Sequence, residues 1–372
     1  MSSKLKNIFF VLVSILIGFV IAGVILKLGG FDPFEAYKIM FLGIFSKLSY
    51  VSYTIIKSTP IILTGLSVAF AFKTGLFNIG AEGQFIIGAT ATAYAGYFLN
   101  LPSYIQIPTI LLIGVVAAGL WGGVAGFLKS RFGIHEVIST IMLNWIALYL
   151  QNYIVMLPGF RKPESEASFD INASGSITIL ENWKYSDAGV AFLDLHPLIG
   201  DFLRPPFNAG IFIAFLAALI IYYILNKTTM GYQLRAVGFN KHAAEYGGIN
   251  VRKNMITAMF ISGGLAGLAG SLHVMGVSKN IAILAATEGY GFDGIAVALI
   301  GGNSPLGCVL SGFLFGGLKY SGAKIQSAME APSEIISIMI GIIVFFMAIP
   351  KLFKILSELK LKKLSKLSKL QK

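Results

Sequence analysis

Charged residues are what this sequence has least of. Asp, Glu, Lys and Arg make up 12% of its 372 residues, roughly half the share found in a soluble domain. That shortage excludes a globular protein solvated by water on all sides. Cysteine is nearly absent too. The single Cys308 lies in an apolar stretch, so no disulfide can form within the chain, and cysteine usage is silent about the compartment. The four histidines, His135, His196, His242 and His273, are scattered and lack the spacing of a metal site. There is no G-x-x-x-x-G-K-[ST] loop to cradle ATP, no HExxH and no GxSxG. No enzyme activity, metal or bound cofactor is therefore expected of this chain.

What is present in excess is apolar. Hydrophobic residues reach 56% and mean hydropathy is +0.77. A helix needs about 20 such residues to cross a bilayer. The stretches 8–28, 50–72, 79–99, 105–128, 135–157, 207–226, 254–276, 288–303, 305–323 and 334–350 predict an all-α, polytopic bundle of about ten spans. The 288–303 segment is short and glycine-rich. The mixed stretch 32–48 is expected at the outer interface. The first run, Ile8 to Leu26, is long enough to stay as an uncleaved helix. One membrane domain over 1–350 follows.

The net charge of +12 reads as a positive-inside bias rather than affinity for nucleic acid. Lys4, Lys6, Lys73, Lys129, Arg131, Lys227, Arg235, Lys241, Arg252, Lys253, Lys351 and Lys354 all fall on one side if ten spans alternate. Both termini and the 227–253 connection are then cytoplasmic, and the acidic connection 158–205 is external. Leucines recur among lysines in 351–372, which predicts a basic amphipathic tail drawn to anionic membrane lipid.

Four segments carry more information. In Phe72 to Gly88, glycines surround Asn78, Glu82 and Gln84. A carboxylate at membrane depth normally faces a bundle interior or a water-filled path. The competing reading is a helix boundary with Glu82 wetted near the surface. In Gly289 to Gly307, Asp293 is the one charge in a run broken by two glycine clusters and Pro305, which predicts a discontinuous helix. The two segments resemble each other at Phe77-Asn78 and Phe292-Asp293, a hint of an inverted repeat around a central path. Glu136, Thr140 and Asn144 fall at i, i+4 and i+8, one polar stripe on a helix. Such a stripe serves interhelical hydrogen bonding more often than a pathway. Finally, Asn240 to Tyr246 suits a short helix ending on Gly247-Gly248, with small Ala243 and Ala244 facing outward into a partner's groove.

Taken together, GLFNIGAEGQFIIGA, GYQLRAVGFNKHAAEYGGINV and GFDGIAVALIGGNSPLG resemble the three ordered motifs of permease subunits in bacterial importers of the branched-chain amino acid, ribose and nucleoside group. The N-terminal motif, the long external loop and the chain length are most similar to the larger permease of nucleoside-type importers. The resemblance implies a pathway formed with a second, paralogous permease. It also implies two ATPase subunits holding ATP and Mg beneath, and an extracytoplasmic solute-binding protein. It assigns Arg235, Asn240, Ala243, Ala244, Glu245 and Gly248 to the ATPase-coupling segment. Polarity alone nominates Asn78, Glu82, Asn144 and Asp293 for lining the pathway or positioning its gate. The alternatives are an ion-coupled secondary transporter using Glu82 and Asp293, and a membrane-embedded lipid-modifying enzyme, which would need a cluster of acid, base or metal ligands.

Overall fold

The computed structural model describes residues 3–348, with side chains from residue 12 onward; the expected basic tail, 351–372, lies outside them. The described chain is almost entirely helical. In order come α1 (Ser3–Leu28), α2 (Pro33–Phe45), α3 (Leu48–Lys73), α4 (Ala81–Phe98), α5 (Ser103–Phe132) and α6 (Glu136–Val155). Three short helices follow, α7 (Glu181–Lys184), α8 (Asp187–Leu195) and α9 (Pro197–Leu203). Then come α10 (Gly210–Lys227), α11 (Thr229–Phe239), α12 (Lys241–Tyr246), α13 (Val251–His273), α14 (Tyr290–Ile300), α15 (Pro305–Met329) and α16 (Ser333–Ala348). The only extended pairings among the described residues are isolated bridges, such as Ala167 with Ala282 and Thr178 with Asn208.

The chain divides into two compact units. One joins the residues before Lys47 to those from Leu318 onward, and the other is Lys47–Gly317. In the first, α1 packs on α16 at Gly18, where a Cβ would lie 3.1 Å from that of Phe346. Its α2 opens on Asp32, whose side chain accepts the Phe34 N–H, with Pro33 in the first turn, a position that needs no N–H donor.

The second unit is built around α3, α4, α5 and α13. Buried residues make up 83% of the most apolar window of α3, against 33% in α6 and 39% in α10. Lipid-facing helices keep one face apolar and open. In α6 that face carries Ile138, Met142, Trp145, Tyr149 and Tyr153, at helical spacing. The inner helices approach through small residues, the usual route to close packing where lipid offers no hydrophobic drive. A Cβ on Gly88 of α4 would sit 2.4 Å from the Cα of Gly267 on α13.

Among the described residues, five helices are long and apolar enough to cross a bilayer: Leu48–Lys73, Ser103–Phe132, Glu136–Val155, Gly210–Lys227 and Val251–Ser278. A sixth appears if the pair Leu12–Leu28 and Pro33–Phe45, bent by 119°, counts as one broken span. By length and composition these helices do not by themselves fix the expected count of about ten spans. The 79–99 stretch is the 18-residue α4, of which 14 residues are buried, Glu82, Gln84, Thr90 and Thr92 among them. It is polar because protein encloses it. The 288–303 stretch folds as an 11-residue helix, about 17 Å at 1.5 Å per residue, half a hydrocarbon core.

The 158–205 connection is ordered rather than open. Backbone pairs tie Ser168 to Ile281, Ile171 to Lys279 and Ile177 to Met275. These anchors lie where α13 runs into a single π turn, Val274–Ser278. The 229–250 segment lies at the opposite end of α13, some 25 residues or about 40 Å away.

Candidate functional site

The two glycine-rich breaks meet inside the Lys47–Gly317 unit. After α3 ends at Lys73, residues 74–80 turn back toward the interior instead of leaving it. The amide of Asn78 shows this. It donates to Ser262 Oγ at 2.7 Å and to Gln84 Oε1 at 2.7 Å, and comes within 3.4 Å of Ser67 Oγ, with Asn78 itself fully buried. Ser67 precedes Lys73 by six residues, so α4 starts about 9 Å in from the end of α3. The second break enters somewhat deeper along α3. Thr64 of α3 donates its hydroxyl to the Tyr290 carbonyl at 2.8 Å, at the first turn of α14. Thr64 is nine residues, about 14 Å, from the end of α3.

Glu82 joins the two. Its Oε1 accepts the Gly289 N–H at 2.8 Å and its Oε2 accepts the Gly291 N–H at 2.6 Å. These are amides at the open N-terminus of α14, where a helix has no internal acceptor for them and where a negative group is favoured. The approach is close enough to demand glycine: a Cβ on Gly291 would lie 2.1 Å from the Glu82 nitrogen. Asn144 completes the frame from α6. Its Oδ1 accepts the Gly83 N–H at 2.8 Å and its Nδ2 donates to the Ile79 carbonyl at 3.1 Å. Glu136, first in the polar stripe, pairs with Lys129 at 2.7 Å. Thr140 bonds back to the Glu136 carbonyl at 2.7 Å. Glu136 and Asn144 thus bond to neighbouring elements, while Thr140 bonds within its own helix.

Of the four nominated membrane residues, Asn78, Glu82 and Asn144 come together in this buried frame. Asp293 lies half-buried on α14, two residues beyond Gly291. A further group lies beside the α14 N-terminus, outside the residues nominated from sequence. Lys57 on α3 donates to the Tyr290 hydroxyl at 3.3 Å and lies over its ring at 5.9 Å. His273 faces Glu288 at 3.9 Å. The Phe85, His273 and Tyr290 rings lie 5.1 to 5.9 Å apart. Lys57 and Glu288 are both exposed on the surface of this chain. Lys57 was recoverable from sequence, since it is a lysine seven residues inside the predicted span 50–72. Glu288 was hidden by its position in a turn between two apolar runs.

The segment nominated for ATPase coupling lies at the other end of α3. The Asn240 side chain accepts the N–H groups of His242 and Ala243 at 3.0 and 3.1 Å and so caps α12. The helix ends through Gly248 at φ +79°, with the Ile249 N–H returning to the Ala244 carbonyl at 2.9 Å. Ala243 and Glu245 are exposed, as expected, but Ala244 is buried. The expectation that both alanines face outward is corrected, because consecutive helical positions point about 100° apart. The outermost side chains are instead Phe239 and Tyr246, 90% and 98% exposed. An aromatic on either side of Ala-Ala in a charged loop was the overlooked signal. Arg235 on α11 bonds the Gly231 carbonyl. It lines a cleft of about 530 Å³ with Lys73, Tyr222, Phe239 and Pro305.

The two regions touch through backbone. A Cβ on Gly238 would fall 2.3 Å from the Lys73 carbonyl and 3.0 Å from the Gly75 nitrogen. Gly238 of α11 is thus in backbone contact with the turn that leads to Asn78 and Glu82.

Residues 50–348 match the family described as the branched-chain amino acid transport system permease component. The chain belongs to this permease family. Its members are transport components rather than enzymes, and this permease is a multi-pass membrane protein. It is 42% identical over 348 residues to the guanosine ABC transporter permease protein NupP of Bacillus subtilis, covering 94% of this chain and 95% of that one. It is 32% identical to the nucleoside ABC transporter permease protein NupB of Lactococcus lactis, over 96% of this permease and 94% of the relative. A glucose ABC transporter permease protein, TsgB13 of Haloferax volcanii, is 28% identical over 92% of this permease and 87% of its own length.

Proposed function

We propose that this permease is the larger of two permease subunits in an ATP-driven nucleoside importer of a bacterial plasma membrane. Two relatives whose names specify guanosine and nucleosides support the solute class. In this reading a paralogous permease completes the pathway. ATPase subunits, carrying ATP and Mg, engage α11 and α12, and a solute-binding protein docks on the 158–205 side. The positive-inside rule supports that orientation, because Lys73, Lys129, Arg235, Lys241 and Lys253 gather at the α12 end.

The observation that carries the proposal is the backbone contact of Gly238 with Lys73 and Gly75. ATP-driven closure of the ATPases displaces α12, and α11 transmits the displacement to residues 74–80. Asn78 and Glu82 then reposition the start of α4 and, through Gly289 and Gly291, the start of α14. Two half-helices that begin at mid-depth can reorient without breaking a continuous helix, which is what alternating access requires. Asn78, Glu82 and Asn144 act as gate-positioning residues, while Asp293 belongs to the pathway side. The hydrogen bonds on both Glu82 oxygens weigh against an ion-coupled carrier, in which that carboxyl would have to exchange its bound ion.

The test is reconstitution of the permease pair with its ATPase and binding protein in liposomes, followed by uptake of labelled guanosine. ATP-dependent uptake, abolished by Gly248→Trp with the complex still assembled, supports the proposal. Uptake by this chain alone under an ion gradient overturns it.

A further inference from the structure

Lys57 sits nine residues from the start of the 26-residue α3, about 14 Å down a helix about 39 Å long. Glu288 precedes the α14 N-terminus, which Thr64 fixes at a comparable distance from the other end of α3. Both charged groups are therefore near mid-depth, and both open on the outside of this chain. Charged side chains at that depth are not turned toward lipid, where they are strongly disfavoured; they face protein or a water-filled path. Tyr53, one helical turn before Lys57, is 37% exposed and shares its face of α3.

We infer that Lys57, Glu288 and Tyr53 form a solute-contact station in the translocation pathway, built for an uncharged, hydroxyl-bearing solute with an aromatic ring. This rests on the proposed transport function and names residues within it. A station holding one cation and one anion carries no net charge and so offers no net attraction to a solute of either sign. A neutral solute loses nothing by that. Its hydroxyls donate to the carboxylate and accept from the ammonium, giving charge-assisted bonds. The tyrosine ring supplies a stacking surface for a base. Tyr290 holds Lys57 in place through its hydroxyl and ring face, and His273 faces the Glu288 carboxylate. The station is thus mounted on the α14 N-terminus, the element that Glu82 positions. A gate movement would carry Glu288 relative to Lys57 and change the station between loading and release.

The experiment uses the whole reconstituted transporter with Cys308→Ser, Lys57→Cys and Glu288→Gln variants. The Lys57→Cys thiol, in the Cys308→Ser background, should react with a charged, water-soluble thiol reagent, and saturating guanosine should slow that reaction. Glu288→Gln should lower guanosine uptake per ATP hydrolysed by about tenfold, equivalent to roughly 1.4 kcal/mol. A Lys57→Cys thiol inert to the reagent places the residue against lipid or the second permease and overturns the inference. Reaction unaffected by guanosine, or unchanged uptake per ATP in Glu288→Gln, overturns it as well. If the unmodified transporter takes up no nucleoside, the transport function itself fails, and the station falls with it. That result is separate, because it appears in the wild-type control.

Discussion

Glu82 is the residue on which the two glycine motifs converge. It is fully buried, and each of its oxygens accepts one backbone N–H. Replacing it by Gln keeps the shape but turns an NH2 group toward one of the two donors. Leaving a buried donor unsatisfied costs about 1–3 kcal/mol. Glu82→Gln should therefore melt earlier in detergent and transport more slowly, whereas a variant as stable as wild type would show the tie to be dispensable. Gly291→Ala should be worse, because its Cβ meets the Glu82 backbone rather than a flexible side chain. Expression and thermal stability of the two variants side by side would rank them. The sequence made Glu82 conspicuous but not its partners, since two backbone amides some 200 residues away leave no mark on side-chain composition.

Coupling is a property of elements. The α12 helix has only six residues and is far too short to be stable alone, so its cap matters. Asn240→Ala removes the acceptor for two N–H groups and should cost about 1 kcal/mol of local stability, seen as faster hydrogen exchange at His242 and Ala243. Gly238→Ala should leave α12 formed but force α11 away from Lys73. The expected outcome is ATP hydrolysis without matching uptake, and normal uptake per ATP would remove the backbone contact from the coupling route. At the far end, the 158–205 connection is held by Lys279, whose ammonium donates to Thr178 Oγ1 at 2.8 Å and Glu181 Oε2 at 3.1 Å. Burial alone would raise the Glu181 pKa, but bonds from Ser176 and Lys279 outweigh it and hold the carboxyl below its usual value. A depressed acid pKa gives stability that is present above the unfolded value and lost as pH falls through the folded one. The loop should thus loosen below the normal glutamate range, measurable as increased hydrogen exchange over 168–181. Glu181→Gln should reduce that pH dependence, leaving the part due to Asp170, whose carboxyl Lys162 and Asn280 also hold below its usual value.

For the whole molecule, orientation is the claim most easily checked. The cations gather at the α12 end of α13, while the paired loop lies at the other. With Cys308 changed to Ser, Lys241→Cys should resist a membrane-impermeant thiol reagent applied to intact cells, and Asn182→Cys should react. The reverse pattern would invert the topology and separate α12 from any cytoplasmic ATPase. Composition also explains why about ten spans are expected. Hydropathy counts apolar residues but not their surroundings. It cannot tell that α4 is enclosed by protein or that α14 is only 11 residues long.

The sequence by itself determined the class of molecule, because too little charge to face water and repeated apolar runs leave a helical membrane bundle as the solution that satisfies the backbone. It also determined where the helices break, since glycine clusters act locally, and it marked the 229–250 segment through its motif. Only the tertiary structure decided what those breaks do. Glu82 meeting Gly289 and Gly291, Gly238 against Lys73, and Lys57 beside Tyr290 join residues 165 to 233 positions apart. Such contacts arise from packing geometry, which no local pattern of polarity encodes.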